Sequence, residues 1–301
     1  MKNLLGIKPP GIVQLHDKRL TRREIALSVA RLDEVHPLIS GNKFYKLTYY
    51  LSKALKSPSP EIISFGGAYS NHLHALAYTA KALGIKSTGI IRGEKPTHLS
   101  PTLQDCAFYG MNLQFLSRNE YRLQQNKLLQ IQDSYENPII IPEGGFGEMG
   151  MQGAALMYDD IRGNEYTHII CACGTGTSIA GLLQNADSSQ VITGISVLKG
   201  YPNLKRDILS LTPEKTGENL QIFQEYHFGG YAKYNTELLQ FMNQWYRRFE
   251  IPSDFVYTGK LFFALDHLLE HGFFPRGSRI LCIHSGGLQG NRSLNPGSLI
   301  F

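Results

Sequence analysis

The chain has 301 residues, of which 42% are hydrophobic and 18% are charged, and its net charge at pH 7 is +5. This composition is typical of a folded protein with a large core and excludes a disordered chain. The mild positive excess suits anionic small molecules but is too small to predict a nucleic-acid partner. No apolar stretch approaches the ~20 residues that span a bilayer, and residues 1–10 do not have the apolar region followed by a cleavage site that is typical of a signal peptide. We therefore expect a soluble, cytoplasmic protein without a membrane or nucleic-acid partner.

Strand-like and helix-like patterns alternate along the chain. Strands are predicted at residues 25–32, 61–65, 86–91, 113–116, 138–141, 167–173, 191–197 and 279–284. Helices are predicted at residues 46–55, 70–83, 103–109, 120–132, 149–161, 236–249 and 260–269, with another that follows residues 174–178 and runs through Leu183. Such alternation predicts βαβ units with a parallel sheet, hence an α/β fold. The glycine-rich run at residues 143–147 is the best candidate for a crossing between domains.

The chain contains four cysteines: Cys106, Cys171, Cys173 and Cys282. Three of them lie in apolar, strand-like runs, and Cys171 and Cys173 are spaced to face the same side of a strand. Neither a CxxC pair nor a Cys/His zinc spacing occurs. We interpret them as buried core thiols in a reducing compartment, and we predict no metal site.

A lysine stands at the start of one predicted helix. Lys43 follows a Gly41-Asn42 turn, where an apolar strand gives way to a helical pattern. The positive end of the helix dipole disfavours a second positive charge there and should lower the pKa of the amine. A neutral amine is a nucleophile that can form a Schiff base with a carbonyl. From this stretch alone, an ordinary surface lysine is the simpler interpretation.

Glycine-bearing turns follow three predicted strands, at residues 66–67, 174–178 and 285–287. In parallel α/β sheets, ligands bind beyond the carboxyl ends of the strands. The turn at 174–178 combines glycines, hydroxyl groups and a helix start, which is what a phosphate monoester needs. It is not a P-loop, and it lacks the third glycine of the dinucleotide fingerprint. A nicotinamide-dependent oxidoreductase is therefore a weaker alternative.

Other candidate residues have simple structural explanations. Ser70 opens a predicted helix, so it could serve only as an N-cap, or the helix start could hold a carboxylate or a phenolate. Tyr231 and Tyr257 lie beside glycines in loops, but any one of 16 tyrosines is more often a packing residue. His284, at a strand end, is more often a structural histidine than a catalyst.

Five motifs in order carry a resemblance that spans residues 19–292. They are Ser-Gly-Asn-Lys-x-x-Lys-Leu at 40–47, Gly-Gly-x-x-Ser-Asn-His at 66–72, Gly-Thr-Gly-Thr-Ser at 174–178, Val-Tyr-Thr-Gly-Lys at 256–260 and His-Ser-Gly-Gly at 284–287. Together they resemble the pyridoxal-phosphate enzymes of the tryptophan-synthase-β-like fold, also called fold type II. More narrowly, the chain resembles the 1-aminocyclopropane-1-carboxylate deaminase / D-cysteine desulfhydrase family.

The resemblance implies a pyridoxal 5'-phosphate cofactor and a role for each motif. Lys43 would form the Schiff base, and Asn71 would hold the phenolic oxygen of the cofactor. The pyridine nitrogen would meet Thr258 or Ser285. The phosphate would lie in a cradle formed by Gly174, Thr175, Gly176, Thr177 and Ser178.

The resemblance also implies how a small amino-acid substrate is handled. Ser70, Asn71 and His72 would face the substrate carboxylate, and Ser70 or Lys43 would move the proton on Cα. Tyr231 and Tyr257 correspond to the two active-site tyrosines of the family, which makes Lys43, Ser70, Tyr231 and Tyr257 the expected catalytic residues.

Two departures from the family pattern limit the expected reaction. Deaminases that open the cyclopropane ring have a glutamate where this chain has Thr258, and a carboxylate there makes the pyridine ring a stronger electron sink. A neutral hydroxyl favours the easier α,β-elimination, with D-cysteine desulfhydration as the leading hypothesis. A ring-opening deaminase that yields 2-oxobutyrate, and a non-catalytic cofactor carrier, are alternatives. Phe44-Tyr45 also departs from the usual residues after the lysine and leaves substrate identity open.

The resemblance implies two three-layer α/β/α domains with largely parallel sheets. The larger, cofactor-binding domain would comprise residues 1–45 and 149–301, and a small α/β domain of residues 46–148 would be inserted into it. The cofactor would lie between them, and domain closure would gate the site. The family expectation is a homodimer.

Overall fold

The structure is a computed structural model that describes residues 1–123 and 138–301. Within these residues the strands are β1 (Gly11–Leu15), β2 (Ala26–Arg31), β3 (Glu61–Gly66), β4 (Lys86–Arg92), β5 (Asn112–Leu116), β6 (Ile139–Ile141), β7 (His168–Cys173), β8 (Val191–Ser196), β9 (Leu220–Phe223) and β10 (Arg279–His284). The large sheet has the order β1-β2-β10-β7-β8-β9, and the small sheet has the order β5-β4-β3-β6. β1 pairs antiparallel with β2, and the other described pairs are parallel.

Helices cover the faces of both sheets. The described helices are α1 (Lys2–Leu5), α2 (Lys18–Arg22), α3 (Lys43–Ala54), α4 (Asn71–Leu83), α5 (Pro101–Phe108), α6 (Arg118–Arg122), α7 (Glu148–Asp160), α8 (Thr177–Asn185), α9 (Leu204–Ser210), α10 (Thr236–Phe249) and α11 (Thr258–Glu270). The predicted α/β class with largely parallel sheets is confirmed. Among the described residues, no helix combines the length and hydropathy that crossing a membrane requires.

The centre of the large sheet explains why its strands read as continuous apolar runs. Along β7, Ile169, Cys171 and Cys173 pack into the core that contains α7 and α8, whereas Ile170 and Ala172 pack into the core that contains α11. Because successive side chains of a strand point to opposite faces, a strand covered on both sides must be apolar throughout. The four cysteines are all buried and unbridged.

The small sheet lies between residues 61 and 141, inside the range predicted for the inserted domain. On one face, Ile62 packs against the core that includes α3 and α4. On the other face, Ile63 and Phe65 pack against Tyr121 of α6, with the rings of Phe65 and Tyr121 edge to face at 6.3 Å. The carboxyl ends of the small-sheet strands therefore lie beside the aromatic side chain of α6.

The predicted boundary after residue 45 falls inside α3, which begins at Lys43. This helix packs tightly on α7, since a Cβ added at Gly153 would lie 2.1 Å from the carbonyl oxygen of Tyr45. The first helix of the predicted small domain is thus continuous with the site lysine and is held by a helix of the predicted large domain. The division into two domains stays a prediction.

Some elements differ from the sequence prediction. The helix predicted at 120–132 begins earlier, as α6 (Arg118–Arg122), and its part from residue 124 lies outside the described residues. Five elements, α1, β1, α2, α9 and β9, were not predicted from the sequence. β1 is an edge strand with four exposed residues out of five, so it has no apolar alternation to reveal it.

Candidate active site

A cavity of about 300 Å³ opens where β3, β7 and β10 end. We call it the active cavity. Of the thirteen residues expected at the site, eleven line it: Lys43, Ser70, Asn71, His72, Gly174, Thr175, Gly176, Ser178, Tyr231, Tyr257 and Ser285. Thr177 and Thr258 do not line it. The fold therefore brings together residues that are as much as 242 positions apart in the chain, from Lys43 to Ser285.

The lysine lies at the wall of this cavity. Lys43 is the first residue of α3, and its Nζ donates to Oδ1 of Asn42 at 2.6 Å. Asn42 in turn donates from Nδ2 to Oγ of Ser178 at 2.7 Å. Burial lowers the pKa of Lys43 to about 8, so a substantial fraction of the amine is neutral near that pH. The predicted direction is found, but enclosure by protein is its largest cause and the helix dipole is not needed to explain it.

A glycine makes the position of Lys43 possible. Gly41 has a φ of +78°, and a Cβ there would lie 1.8 Å from the carbonyl oxygen of Ser285. The same carbonyl accepts a hydrogen bond from the backbone nitrogen of Asn42 at 3.1 Å. The start of α3 is thus pressed against the turn that follows β10, which places Lys43 beside the ends of the large-sheet strands.

The turn between β7 and α8 has the form of an anion cradle. Gly176 precedes α8 with a φ of +86°, and a side chain there would meet Ile208 at 2.6 Å. The hydroxyl of Thr175 lies 3.0 Å from that of Thr177, which is itself fully buried. Thr177 therefore supports the turn from behind, while the other four residues of the predicted cradle face the cavity. Free N–H groups at a helix start favour a phosphate.

Two buried polar atoms at the start of α4 have no hydrogen-bond partner within the described residues. They are Oδ1 of Asn71 and Nδ1 of His72. An unpaired buried polar atom costs about 1–3 kcal/mol, so such atoms at a cavity wall indicate a polar ligand. A Cβ at Gly287 would lie 2.3 Å from Nδ2 of Asn71, so the glycine keeps room for this amide. Together with the cradle, these atoms fit a ligand with a phosphate at one end and a polar ring at the other.

Ser70 and His72, the two neighbours of Asn71 in the chain, are uncharged, and each already has one hydrogen-bond contact. Nε2 of His72 lies 2.8 Å from the hydroxyl of Ser64, and burial, strengthened by the charges of two lysines, lowers the pKa of His72 to about 3. Ser70 caps α4 by accepting from the backbone nitrogen of Leu73 at 3.2 Å. Its hydroxyl proton is still available to a group in the cavity, so the N-cap role and a substrate role are compatible.

The two tyrosines meet at the side of the cavity. The rings of Tyr231 and Tyr257 are edge to face with centroids 6.0 Å apart, and Nζ of Lys43 lies 5.9 Å from the centroid of Tyr257. Burial raises the pKa of Tyr257 well above its usual value, which keeps its phenol neutral and able to donate a proton. Both tyrosines line the active cavity.

Thr258 differs from the expectation. Thr258 is fully buried. Its Oγ1 donates to Oδ1 of Asp254 at 2.8 Å and accepts from the backbone nitrogen of Asp254, also at 2.8 Å. Asp254 also accepts from the backbone nitrogens of Val256 and Tyr257, both at 2.9 Å. Thr258 therefore stabilises the loop that carries Tyr257. Of the two residues expected near a pyridine nitrogen, Ser285 is the one that lines the cavity.

Several lining residues were not singled out from the sequence. Lys46 is 5% exposed and donates from Nζ to the carbonyl oxygen of Gly144 at 3.2 Å. Burial, together with the charge of Lys43, lowers its pKa to about 7. Arg92 and Glu143 also line the cavity. A second lysine one helical turn after Lys43 was a readable signal, whereas nothing local marks Arg92 or Glu143.

Comparison with known proteins agrees with this geometry. The family model of the pyridoxal-phosphate dependent enzymes matches residues 18–286. A protein of Pyrococcus abyssi, provisionally named 1-aminocyclopropane-1-carboxylate deaminase, is 28% identical over 289 residues, which cover 89% of this chain and 87% of that protein. The mitochondrial bifunctional D-cysteine desulfhydrase/1-aminocyclopropane-1-carboxylate deaminase of Arabidopsis thaliana is 27% identical over 283 residues, with coverages of 84% and 70%.

A solved structure described as an ACC deaminase homologue has a TM-score of 0.78 and 26% identity, and the match covers 96% of this chain and 95% of that one. The chain belongs to the family of pyridoxal-phosphate dependent enzymes. The narrower resemblance, to the 1-aminocyclopropane-1-carboxylate deaminase / D-cysteine desulfhydrase family, is confirmed by these relatives. The protein is therefore an enzyme with pyridoxal phosphate as its cofactor, and the nicotinamide alternative is set aside.

Proposed function

We propose that the protein is a lyase that catalyses α,β-elimination on a small amino acid, with D-cysteine as the favoured substrate. The observation that supports this best is the pairing of a lysine whose pKa is lowered to about 8 with an anion cradle in one cavity. A neutral hydroxyl, that of Ser285, lines the cavity at the position proposed for the pyridine nitrogen. A hydroxyl does not hold a proton on that nitrogen as a carboxylate would, which favours a substrate with a good leaving group.

The residues of the cradle would hold the cofactor phosphate, Asn71 its phenolic oxygen and Lys43 its carbonyl carbon. When bound, pyridoxal phosphate acidifies the Cα–H bond of an amino acid by withdrawing electrons. In the proposed reaction, Nζ of Lys43 takes the Cα proton, the electron pair forms the Cα–Cβ double bond, and the Cβ–S pair leaves as thiolate. The released enamine takes up water and loses ammonia, which gives pyruvate.

Ser70 has two proposed roles. Its hydroxyl, with the polar groups of Asn71 and His72 beside it, would bind the substrate carboxylate, or it would share the proton transfer with Lys43. A Ser70→Ala variant distinguishes them. A carboxylate-binding role raises KM with a smaller change in kcat, whereas a proton-transfer role lowers kcat and its primary deuterium isotope effect rises.

A substrate panel tests the proposal directly. D-cysteine, L-cysteine, D-serine, β-chloro-D-alanine and 1-aminocyclopropane-1-carboxylate would each be supplied to the holoenzyme, and the keto acid formed would be identified. We expect pyruvate from D-cysteine and β-chloro-D-alanine. Failure to form a keto acid from any of the five would overturn the proposal and leave a cofactor carrier as the explanation.

Ring opening of 1-aminocyclopropane-1-carboxylate is the second candidate function, because several relatives carry that name. The neutral phenols of Tyr231 and Tyr257 are compatible with it, since ring opening needs a proton donor at the departing carbon. 2-Oxobutyrate as the main product of the panel would select this function over desulfhydration.

The oligomeric state and location are also proposals. We infer a homodimer that works in a reducing compartment such as the cytoplasm, and the four buried, unbridged cysteines fit such a compartment. Sedimentation analysis of the holoenzyme would show a single species of twice the chain mass. A species of the chain mass at micromolar concentration would exclude the dimer.

A further inference from the structure

A second cavity of about 900 Å³ lies at the carboxyl edge of the small sheet. Residues that follow all four strands line it: Gly67 after β3, Arg92 at the end of β4, Arg118 and Arg122 after β5, and Glu143 after β6. We call it the arginine pocket. In parallel α/β sheets the crevice beyond the carboxyl ends of the strands is where ligands bind. The catalytic roles assigned above make no use of this crevice.

The arginine pocket adjoins the active cavity. Gly67, Arg92 and Glu143 line both of them. A Cβ at Gly67 would meet only the guanidinium of Arg92 within 4 Å, at 3.5 Å, so little else packs against this part of the shared wall. A substituent that extends from a substrate near Lys43 into the second cavity would pass beside Gly67 and Arg92.

The pocket is built for an anion. Three arginines line it against one carboxylate among the described lining residues, Glu143, whose oxygen lies 3.8 Å from Arg92. This distance exceeds a hydrogen bond, so the guanidinium of Arg92 can still donate to a ligand. The ring centroid of Tyr121 lies 5.6 Å from Cζ of Arg92, which is within the range of a cation–π contact. Planar guanidinium groups bind carboxylates and phosphates through paired hydrogen bonds.

The rest of the wall is apolar. Phe65, Pro142 and Phe146 line the pocket together with the ring of Tyr121. A ligand that satisfies both features has a short apolar linker and an anionic end. This combination does not describe cysteine itself, whose side chain ends at a thiol.

We propose that the arginine pocket receives the anionic end of a substrate's β-substituent, so that the enzyme accepts, besides D-cysteine, cysteine S-conjugates whose thiolate leaving group carries a carboxylate or a phosphate. This inference rests on the proposed elimination reaction and names its substrate class. The bond changes are those given above: the Cα–H and Cβ–S bonds break, and the sulfur leaves with its electron pair. Arg92 is the specificity-determining residue because it lies on the shared wall.

A matched pair of substrates provides the test. S-carboxymethyl-D-cysteine and S-carbamoylmethyl-D-cysteine differ by one charge at nearly equal size. We expect kcat/KM of the holoenzyme to favour the carboxylate by about tenfold, as one charge-assisted hydrogen bond allows. Arg92→Gln should bring the ratio close to one, and Glu143→Gln should increase it. Arg247→Gln, an exposed arginine on α10 that lines neither cavity, should leave the ratio unchanged.

The proposal is overturned if the wild type has equal kcat/KM values for the two substrates, or if its preference for the carboxylate survives Arg92→Gln.

Titration calorimetry of the holoenzyme with succinate, and with uncharged succinamide, separates this outcome from failure of the elimination reaction. If no amino acid is turned over, the proposed function falls, while succinate binding that Arg92→Gln weakens about tenfold still supports an anion site. Succinate that inhibits non-competitively against S-carboxymethyl-D-cysteine identifies a separate effector and rejects the substrate role.

Discussion

The side-chain nitrogen of Lys260 donates to the backbone carbonyl of Gly230 at 2.8 Å. It also donates to the carbonyl of His227 at 2.8 Å, and the lysine is fully buried. The loop that it holds carries Tyr231. Phe228 and Ala232 flank this tyrosine with φ of +50° and +53°, a left-handed conformation that side chains disfavour. A lysine from the Val-Tyr-Thr-Gly-Lys motif therefore holds a strained loop against the active cavity.

Removal of this lysine should release the loop. Lys260→Met keeps an unbranched side chain, one atom shorter, but leaves the two carbonyls without their donor, at a cost of about 1–3 kcal/mol in the free energy of unfolding. We expect kcat to fall at least tenfold, with cofactor absorbance retained and faster proteolytic cleavage at residues 227–234. A double-mutant cycle with Tyr231→Phe is the decisive readout. Additive effects on kcat would show that Lys260 does not act through Tyr231.

Lys43→Ala should abolish turnover and the covalent link to the cofactor. Treatment of the wild-type holoenzyme with borohydride, followed by peptide mass mapping, should place the mass of the reduced cofactor on the peptide that contains Lys43. Lys46→Ala is the matched control, because Lys46 lines the same cavity and lies one turn away on α3. Reducible cofactor on any other lysine in the Lys43→Ala protein would refute the assignment.

Lys46 should make stability depend on pH. Its pKa is about 7 in the folded protein and close to 10.4 when unfolded, so between these values the unfolded chain binds the additional proton. The free energy of unfolding therefore carries a penalty that is complete below pH 7 and disappears as pH rises towards 10. The size is on the order of a few kcal/mol. In cofactor-free protein, urea unfolding at pH 7 and 9.5 should show a smaller pH effect for Lys46→Met than for the wild type. Equal effects would mean that Lys46 titrates normally.

The sequence predicted those parts of the site whose geometry is local. Gly41, Lys43 and the turn at 174–178 are placed by short-range backbone rules: a left-handed glycine, a helix start and a turn after a buried strand. The buried strands were also found, because coverage on both faces leaves a continuous apolar run. Edge elements such as β1 and β9 were missed, since half-exposed strands of four or five residues leave no clear period.

Two contacts near the site were not predicted, the first of them local and the second long-range. Thr258 was expected at the cofactor because the motif places it beside Tyr257, yet its hydroxyl is bound to Asp254. The spacing of an aspartate and a threonine four residues later, at a helix start, is a capping pattern that could have indicated this contact. The approach of Arg92 to Glu143 depends on the pairing of β4 and β6 with opposite edges of β3, which no local pattern encodes.

Thr258→Glu tests why this chain differs from the ring-opening enzymes. The new carboxylate would lie beside that of Asp254 in a fully buried site, where two like charges cannot both stay ionised. We expect a loss of about 3–5 kcal/mol in the free energy of unfolding. The double variant with Asp254→Asn should recover part of it, and Thr258→Ser should remain close to the wild type. If Thr258→Glu is as stable as Thr258→Ser, the new glutamate side chain does not lie beside Asp254 and points towards the cavity instead.

Two glycines separate the effect of close packing from that of backbone conformation. Gly41 and Gly84 have similar φ values, +78° and +66°, but a Cβ at Gly41 would lie 1.8 Å from the carbonyl oxygen of Ser285, whereas a Cβ at Gly84 meets nothing within 4 Å. Gly84→Ala should therefore cost about 1 kcal/mol of unfolding free energy from backbone strain alone. Gly41→Ala should cost several times more and should weaken cofactor affinity, because α3 and Lys43 must move away from the turn after β10. Cofactor titration of both variants, followed by fluorescence, provides the comparison. Equal affinities would show that the position of Lys43 does not depend on this contact.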